Sequence, residues 1–265
     1  MKTSKLFFKT LPALLLFISV AIRGFGAAPA RQEYYEIRIY HIDQKAQADR
    51  VDAYLKDVYI PALHRAGISK IGVFKPVEAD TAFGKLIYVF IPVKTLDKFS
   101  ALPELLDKDE VYNKSARDYI DAPFDNPPYA RYESILLKAF PLMPEFKTPS
   151  YSTAPDQRIY ELRNYESATE AKAAKKIQMF NEGGEMKIFE QLGFNAVFFA
   201  QVIVGSHKPN LMYMTTFSDM KTHDEKWKAF QAHPDWIKLK AVPEYLNTVI
   251  KPKPYLLHPT SYSDF

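Results

Sequence analysis

The sequence predicts an α+β chain in which one β-α-β-β-α-β unit is used twice. Three observations carry this. The stretch YYEIRIY at 34–40 returns as IYELRNY at 159–165, with the same glutamate–arginine–tyrosine alternation. Each copy is followed by an amphipathic helical segment and then by two apolar, β-rich runs. The segment between the copies is rich in proline and lacks either periodicity. The order β-α-β-β-α-β is the ferredoxin-like arrangement: an antiparallel sheet with helices on one face. Its other face is left bare, so two units in one chain are expected to close their sheets around a shared interior as an internal pseudo-dimer.

The first unit spans 31–143. Its first strand is 34–41 and its first helix 45–66, with Val51, Leu55, Val58 and Ala62 along one face, Pro61 as an interruption and Gly67 as the stop. Strands follow at 70–77 and 85–93, a second helical region begins near Thr95, and a last strand covers 129–140. Residues 144–157 form the linker. The second unit, 158–265 with its C-terminal tail, repeats the order. A strand at 158–165 leads to a helix whose start carries Ser167 and Glu170 in the spacing of a capping box. That helix is broken at Gly183-Gly184 and stopped by Gly193. Strands at 195–205 and 210–217 come next, then a helix capped by Ser218. The closing strand, 246–257, holds two prolines and is expected to be partly irregular.

In each copy alternation divides the first strand into two faces. Tyr35, Ile37 and Ile39, with Tyr160 and Leu162, are expected to pack under the helices. Glu36, Arg38 and Tyr40, with Glu161, Arg163 and Tyr165, would then enter the space between the sheets. Charge there is costly unless paired. Two readings stay open. In one, the arginines and tyrosines (Arg38, Tyr40, Arg163, Tyr165) hold a small organic molecule, with Glu36 or Glu161 as catalytic base. In the other, the glutamates and arginines satisfy each other across the sheets.

Residues 1–30 begin with Lys2, Lys5 and Lys9, continue in a mostly apolar run from Leu11 to Ile22 and end in Ala-Pro-Ala. That is the layout of a secretory signal peptide, with cleavage near Ala28 or Ala30. The run is shorter than the roughly 20 residues of a spanning helix. The expectation is an exported protein, periplasmic or extracellular, with no membrane anchor in the mature form. Four of the 35 basic residues lie in this leader and none of the 31 acidic ones, so cleavage removes the net charge of +4. A neutral chain gives no electrostatic case for nucleic acid.

With no cysteine in the chain, disulfides, thiol nucleophiles and thiolate metal sites are excluded. None of the six histidines stands four residues from another, so no helical pair of metal ligands is formed and no metal site is expected. No cofactor is predicted, although haem needs one histidine alone, for which His64 and His207 are the candidates. The segment WKAFQAHPDW at 227–236 reads as core packing plus a turn, with Asp235 as a cap. Its functional reading places His233 or Trp236 at a pocket mouth. Phosphate-cradling glycine loops and a Gly-x-Ser-x-Gly elbow are absent from the sequence.

The strand starters YYEIRIY and IYELRNY, the helix ends LHRAGI and EQLGF, and WKAFQAHPDW together resemble the NIPSNAP family. The first unit carries LPELLDKDEV in place of the His-Pro-Asp-Trp segment. The resemblance spans roughly 33–258 and implies the dimeric α/β-barrel form of the ferredoxin-like fold. It implies no single activity, since the wider superfamily includes cofactorless monooxygenases, haem enzymes and small-molecule binders. Three functions are therefore carried forward: binding of a small organic molecule between the sheets, a cofactorless monooxygenase or isomerase in the same pocket, and a non-catalytic assembly module. Exposed sheet edges would also allow a homodimer.

Overall fold

The computed structural model describes residues 31–265; the expected leader and its cleavage site lie outside them. The first unit supplies strands β1 (Tyr34–His41), β2 (Gly72–Pro76), β3 (Leu86–Val93) and β4 (Arg131–Ala139). The second supplies β5 (Ile159–Glu166), β6 (Asn195–Val204), β7 (Asn210–Phe217) and β8 (Lys251–Pro259). The strands close into one barrel in the order β1-β3-β2-β8-β5-β7-β6-β4. Each unit keeps the ferredoxin-like strand order. Two antiparallel seams join them, Phe74–Pro76 against Leu257–Pro259 and Leu136–Ala139 against Ala200–Val204. These seams join the outer strands of the two units over part of their length.

The helices lie outside the barrel. In the first unit α1 (Lys45–Tyr54) runs through a π-helical turn (Leu55–Tyr59) into α2 (Ile60–Arg65); α3 (Leu96–Asp107), α4 (Glu110–Ser115) and α5 (Arg117–Ile120) follow β3. The second unit has α6 (Glu170–Asn181), α7 (Glu185–Gln191), α8 (Met220–Ala232) and α9 (Pro234–Leu239). Pro61 cannot donate a backbone hydrogen bond. The chain widens just before it, and Ile60 N–H bonds to Leu55 O, five residues back. Among the described residues no helix is long and apolar enough to cross a membrane.

Three apolar layers result. One fills the barrel, and the other two lie between each half of the barrel wall and its helices. This inverts the expected faces of β1 and β5. Tyr35, Ile37, Tyr160 and Leu162 point into the barrel, and Glu36, Arg38, Glu161 and Arg163 point out toward the helices. The physical reason is that every strand turns mostly apolar or aromatic side chains inward, and these fill the barrel. Phe90 stacks on Phe198 at 5.2 Å, and Phe74 packs on Tyr160 at 4.8 Å. One end is closed by Phe146 from the linker and by Phe265, whose rings are 6.1 Å apart. Side chains fill the space between the sheets where a ligand was expected, and each Glu–Arg pair lies within one unit rather than bridging the two.

Local details also differ. Thr169, not Ser167, caps α6 by accepting from Lys172 N–H, while the buried Ser167 donates to Thr248 O. Asp219, not Ser218, caps α8, and His233, not Asp235, caps α9. Strand β8 starts later than expected. Its Pro252 and Pro254 lie where it pairs with β5 alone, because the short β2 meets only its last residues, so the missing N–H groups interrupt no ladder.

Candidate functional site

In both units the outward face of the first strand carries an ion pair two residues apart. Arg38 Nε donates to Glu36 Oε1 at 3.1 Å and Nη2 to Oε2 at 3.3 Å. Arg163 Nε donates to Glu161 Oε1 at 2.7 Å. The glutamates are the buried members, 2% and 1% exposed; the arginine side chains retain 16% and 18%. Such a pair fixes the strand face without help from the other unit.

The two units then diverge. Over Glu36 and Arg38 lies a cleft of about 490 Å³ between the β1–β4 wall and α1–α5. Its floor is Glu36, Arg38 and Ser134, which faces Arg38 across the β1–β4 pairing and donates to Glu36 Oε1 at 2.7 Å. Arg38 is flanked by Tyr59 and Tyr132, with its guanidinium carbon 5.2 and 5.0 Å from the ring centroids. Tyr59 reaches it from the π-helical turn. Tyr54 stacks on Tyr119 at 3.6 Å, and the Tyr54 and Tyr112 hydroxyls are 3.0 Å apart. Phe99 and Pro103 of α3 complete the wall, with exposed Ile120 at the rim. Burial opposes the charge of Arg38, but Tyr59 and Glu36 outweigh it and keep the guanidinium protonated well above its already high range.

In the second unit the corresponding place is taken by the protein itself. The Trp227 indole covers Arg163, with the guanidinium carbon 3.9 Å from the ring centroid, and Nε1–H donates to Glu161 Oε2 at 2.6 Å. His223 Nε2 lies 3.4 Å from the same oxygen, and its Nδ1 is 2.8 Å from Asp224 Oδ1. Burial works against the ionised form of Glu161, but the nearby His223 and Arg163 outweigh it and its carboxyl sits below the usual range. Burial likewise disfavours charged His223, and Glu161 and Asp224 reverse this and raise it. Beyond this lies a buried pair, Lys176 Nζ to Glu185 Oε2 at 2.7 Å, in which burial holds the Glu185 carboxyl above its ordinary value.

Of the expected site residues, Glu36 and Arg38 reach the cleft. Tyr40 does not line it: it is fully buried with its hydroxyl 3.1 Å from that of Tyr119. Tyr165 bonds Arg163 Nη1 and Tyr213 within the second unit's core. His233 caps α9, and Trp236 packs on Phe230 at 4.6 Å; neither lines the cleft. Tyr59, Tyr132 and Ser134 escaped the sequence reading. Ser134 could be found only from the β1–β4 register, and Tyr59 only from the π-turn. His64 is 2.8 Å from Asp264, and His207 is exposed with a φ of 63°. No histidine lines the cleft, so its walls offer a haem iron no histidine ligand. Among the described residues no group of three or more metal-ligating side chains comes together. A larger cleft, about 700 Å³, lies between the linker and α7, but its charged residues Lys147, Lys187 and Glu190 are exposed.

Comparison with known proteins bears on fold and family. Two putative monooxygenases have similar structures. That from Lactobacillus acidophilus NCFM has a TM-score of 0.54 at 12% identity, covering 86% of this chain and 94% of its own. That from Fusobacterium nucleatum subsp. nucleatum ATCC 25586 has a TM-score of 0.53 at 8% identity, with 87% and 93% covered. An anthrone oxidase-like protein gives 0.51 at 8% identity, with 88% and 93% covered. At these identities the likeness is one of fold alone. No curated protein sequence matches the chain. The profile of the NIPSNAP family matches residues 160–264. The match to the NIPSNAP family thus falls on the second unit, which closes with the first into a single-chain α/β barrel.

Proposed function

We propose that the protein binds a small, flat organic molecule in the cleft of its first unit, between the barrel wall and the helices. The observation that supports this is the unequal treatment of two equivalent ion pairs. Glu161 and Arg163 are covered by the chain's own indole, whereas Glu36 and Arg38 form the floor of an open, aromatic-walled space. A cleft of this size, mostly apolar with one convergent charged pair, has the composition of a small-molecule site. A catalytic reading of the same cleft uses Glu36 as proton acceptor. Binding is favoured because Glu36 already accepts from Arg38 and Ser134 and its charge is balanced.

Native mass spectrometry of the protein from its producing cells tests this. A retained small molecule, lost in Arg38→Ala but not in Arg163→Ala, supports the reading; retention that ignores Arg38 overturns it. The leader pattern of residues 1–30 supports export of the protein, which N-terminal sequencing of the secreted form would check.

A further inference from the structure

The two units are close enough in design that one can be used to read the other. β3 and β7 are both eight residues long, and the caps Thr95 and Asp219 each stand two positions after the strand ends. Counting from those caps, the fourth residue is Phe99 in α3 and His223 in α8. The eighth is Pro103 in α3 and Trp227 in α8. Phe99 and Pro103 line the cleft, so the space in the first unit opens where the second unit places its indole.

The two carboxylates differ in one matching way. In both, Oε1 takes the arginine Nε. In the second unit, Oε2 takes the Trp227 N–H at 2.6 Å. In the first, Glu36 Oε2 receives a 3.3 Å bond from Arg38 Nη2, and the Ser134 hydroxyl goes to Oε1. A carboxylate oxygen has room for a second donor. Glu36 Oε2 is thus the acceptor that the second unit satisfies with a ring N–H and the first leaves with one long bond.

We infer that the cleft takes a flat aromatic molecule bearing a ring N–H or O–H, stacked on Arg38 with that donor on Glu36 Oε2, as Trp227 lies in the second unit. This rests on the cleft being a binding site and adds the chemical class of its occupant. Indole-like and phenolic rings meet the requirement. A flat ring with no donor keeps the stacking on Arg38 and loses the bond to Glu36.

Calorimetric titration of the full protein with indole and 1-methylindole tests this, with phenol and anisole as a second matched pair. Indole and phenol should bind at one site per chain, and their methylated partners at least about tenfold more weakly, as expected for a lost hydrogen bond to a charged group. Equal binding of the partners, abolished by Arg38→Ala, would overturn the donor assignment and leave the cleft as a binding site. If neither probe binds, the proposal falls, and a molecule retained in native mass spectra would still uphold the cleft. Trp227→Gly provides an independent arm: free indole should return to Arg163 and raise the stoichiometry by one. Should that variant not fold, the wild-type comparison decides alone.

Discussion

Trp227 lies over Arg163 with 3.9 Å between ring centroid and guanidinium carbon, whereas Arg38, the equivalent arginine, has the Tyr59 and Tyr132 rings at 5.2 and 5.0 Å and forms part of the cleft floor. The consequences of removing the two side chains should therefore differ. Arg163→Ala takes away the partner of buried Glu161, the stacking surface of Trp227 and a bond to Tyr165. It should destabilise by about 3 kcal/mol. Arg38→Ala leaves Glu36 beside an open cleft where water can replace the lost donors, and should cost about 1–2 kcal/mol. Urea midpoints of the two variants check this; equal losses would mean that the cleft does not hydrate Glu36.

Pro103 marks where the first unit lacks an indole. Pro103→Trp should place a ring over Arg38 and abolish binding of indole in the cleft. Because proline inside a helix costs up to about 3 kcal/mol, the variant should fold at least as stably as the parent. Calorimetry beside a thermal melt would separate loss of the site from loss of the fold.

The Glu161–His223 contact predicts a pH dependence. His223 is raised above its ordinary 6.5, so it contributes stability that is full below that value and is lost as pH rises through its folded pKa. Glu161 is lowered below 4.5, so its contribution is present above that value and is lost as pH falls through its folded pKa. The stability gap between the parent and His223→Gln should be widest between about pH 5 and 6.5 and shrink at higher pH. Denaturation midpoints across pH 4–9 measure it, and a gap that grows above pH 7 would contradict the contact.

Phe265 is 7% exposed and packs against Phe74, Phe90, Phe146 and Tyr160 at the barrel end. Phe265→Ala should cost about 3 kcal/mol through the cavity it leaves. Phe146→Ala should cost less, since that ring is only half-buried. Because the plug is remote from the cleft lining, neither change should alter ligand affinity measured by titration.

The duplicated unit was legible because YYEIRIY and IYELRNY repeat one face pattern and the surrounding periodicities repeat in order. Glycine stops were equally readable: Gly67 and Gly193 both take positive φ at helix ends. The direction of the faces was not. Alternation says that Tyr35 and Glu36 point oppositely, but which side is drier depends on closure by β2–β8 and β4–β6, contacts between residues far apart in sequence. The same holds for the site. Glu36 and Arg38 stood out on their strand, whereas Tyr59, Tyr132 and Ser134 join them only after the β1–β4 register and the π-turn are set. The sequence reads Trp227 as core packing; the indole does pack on Phe194 and Phe230, but it also stacks on Arg163 and donates to Glu161, and its bearing on the other unit emerges only when α3 and α8 are aligned from their caps.

Joining both units in one polypeptide through the β2–β8 and β4–β6 seams has a consequence for how such a barrel can change. In an assembly of two identical chains, every substitution is made twice, and an indole that filled one cavity would fill both. Here the codon for residue 227 is separate from that for residue 103. One half could turn its cavity into permanent scaffolding while the other kept an entrance, and mutations that refine the open half need not be tolerated by the closed one.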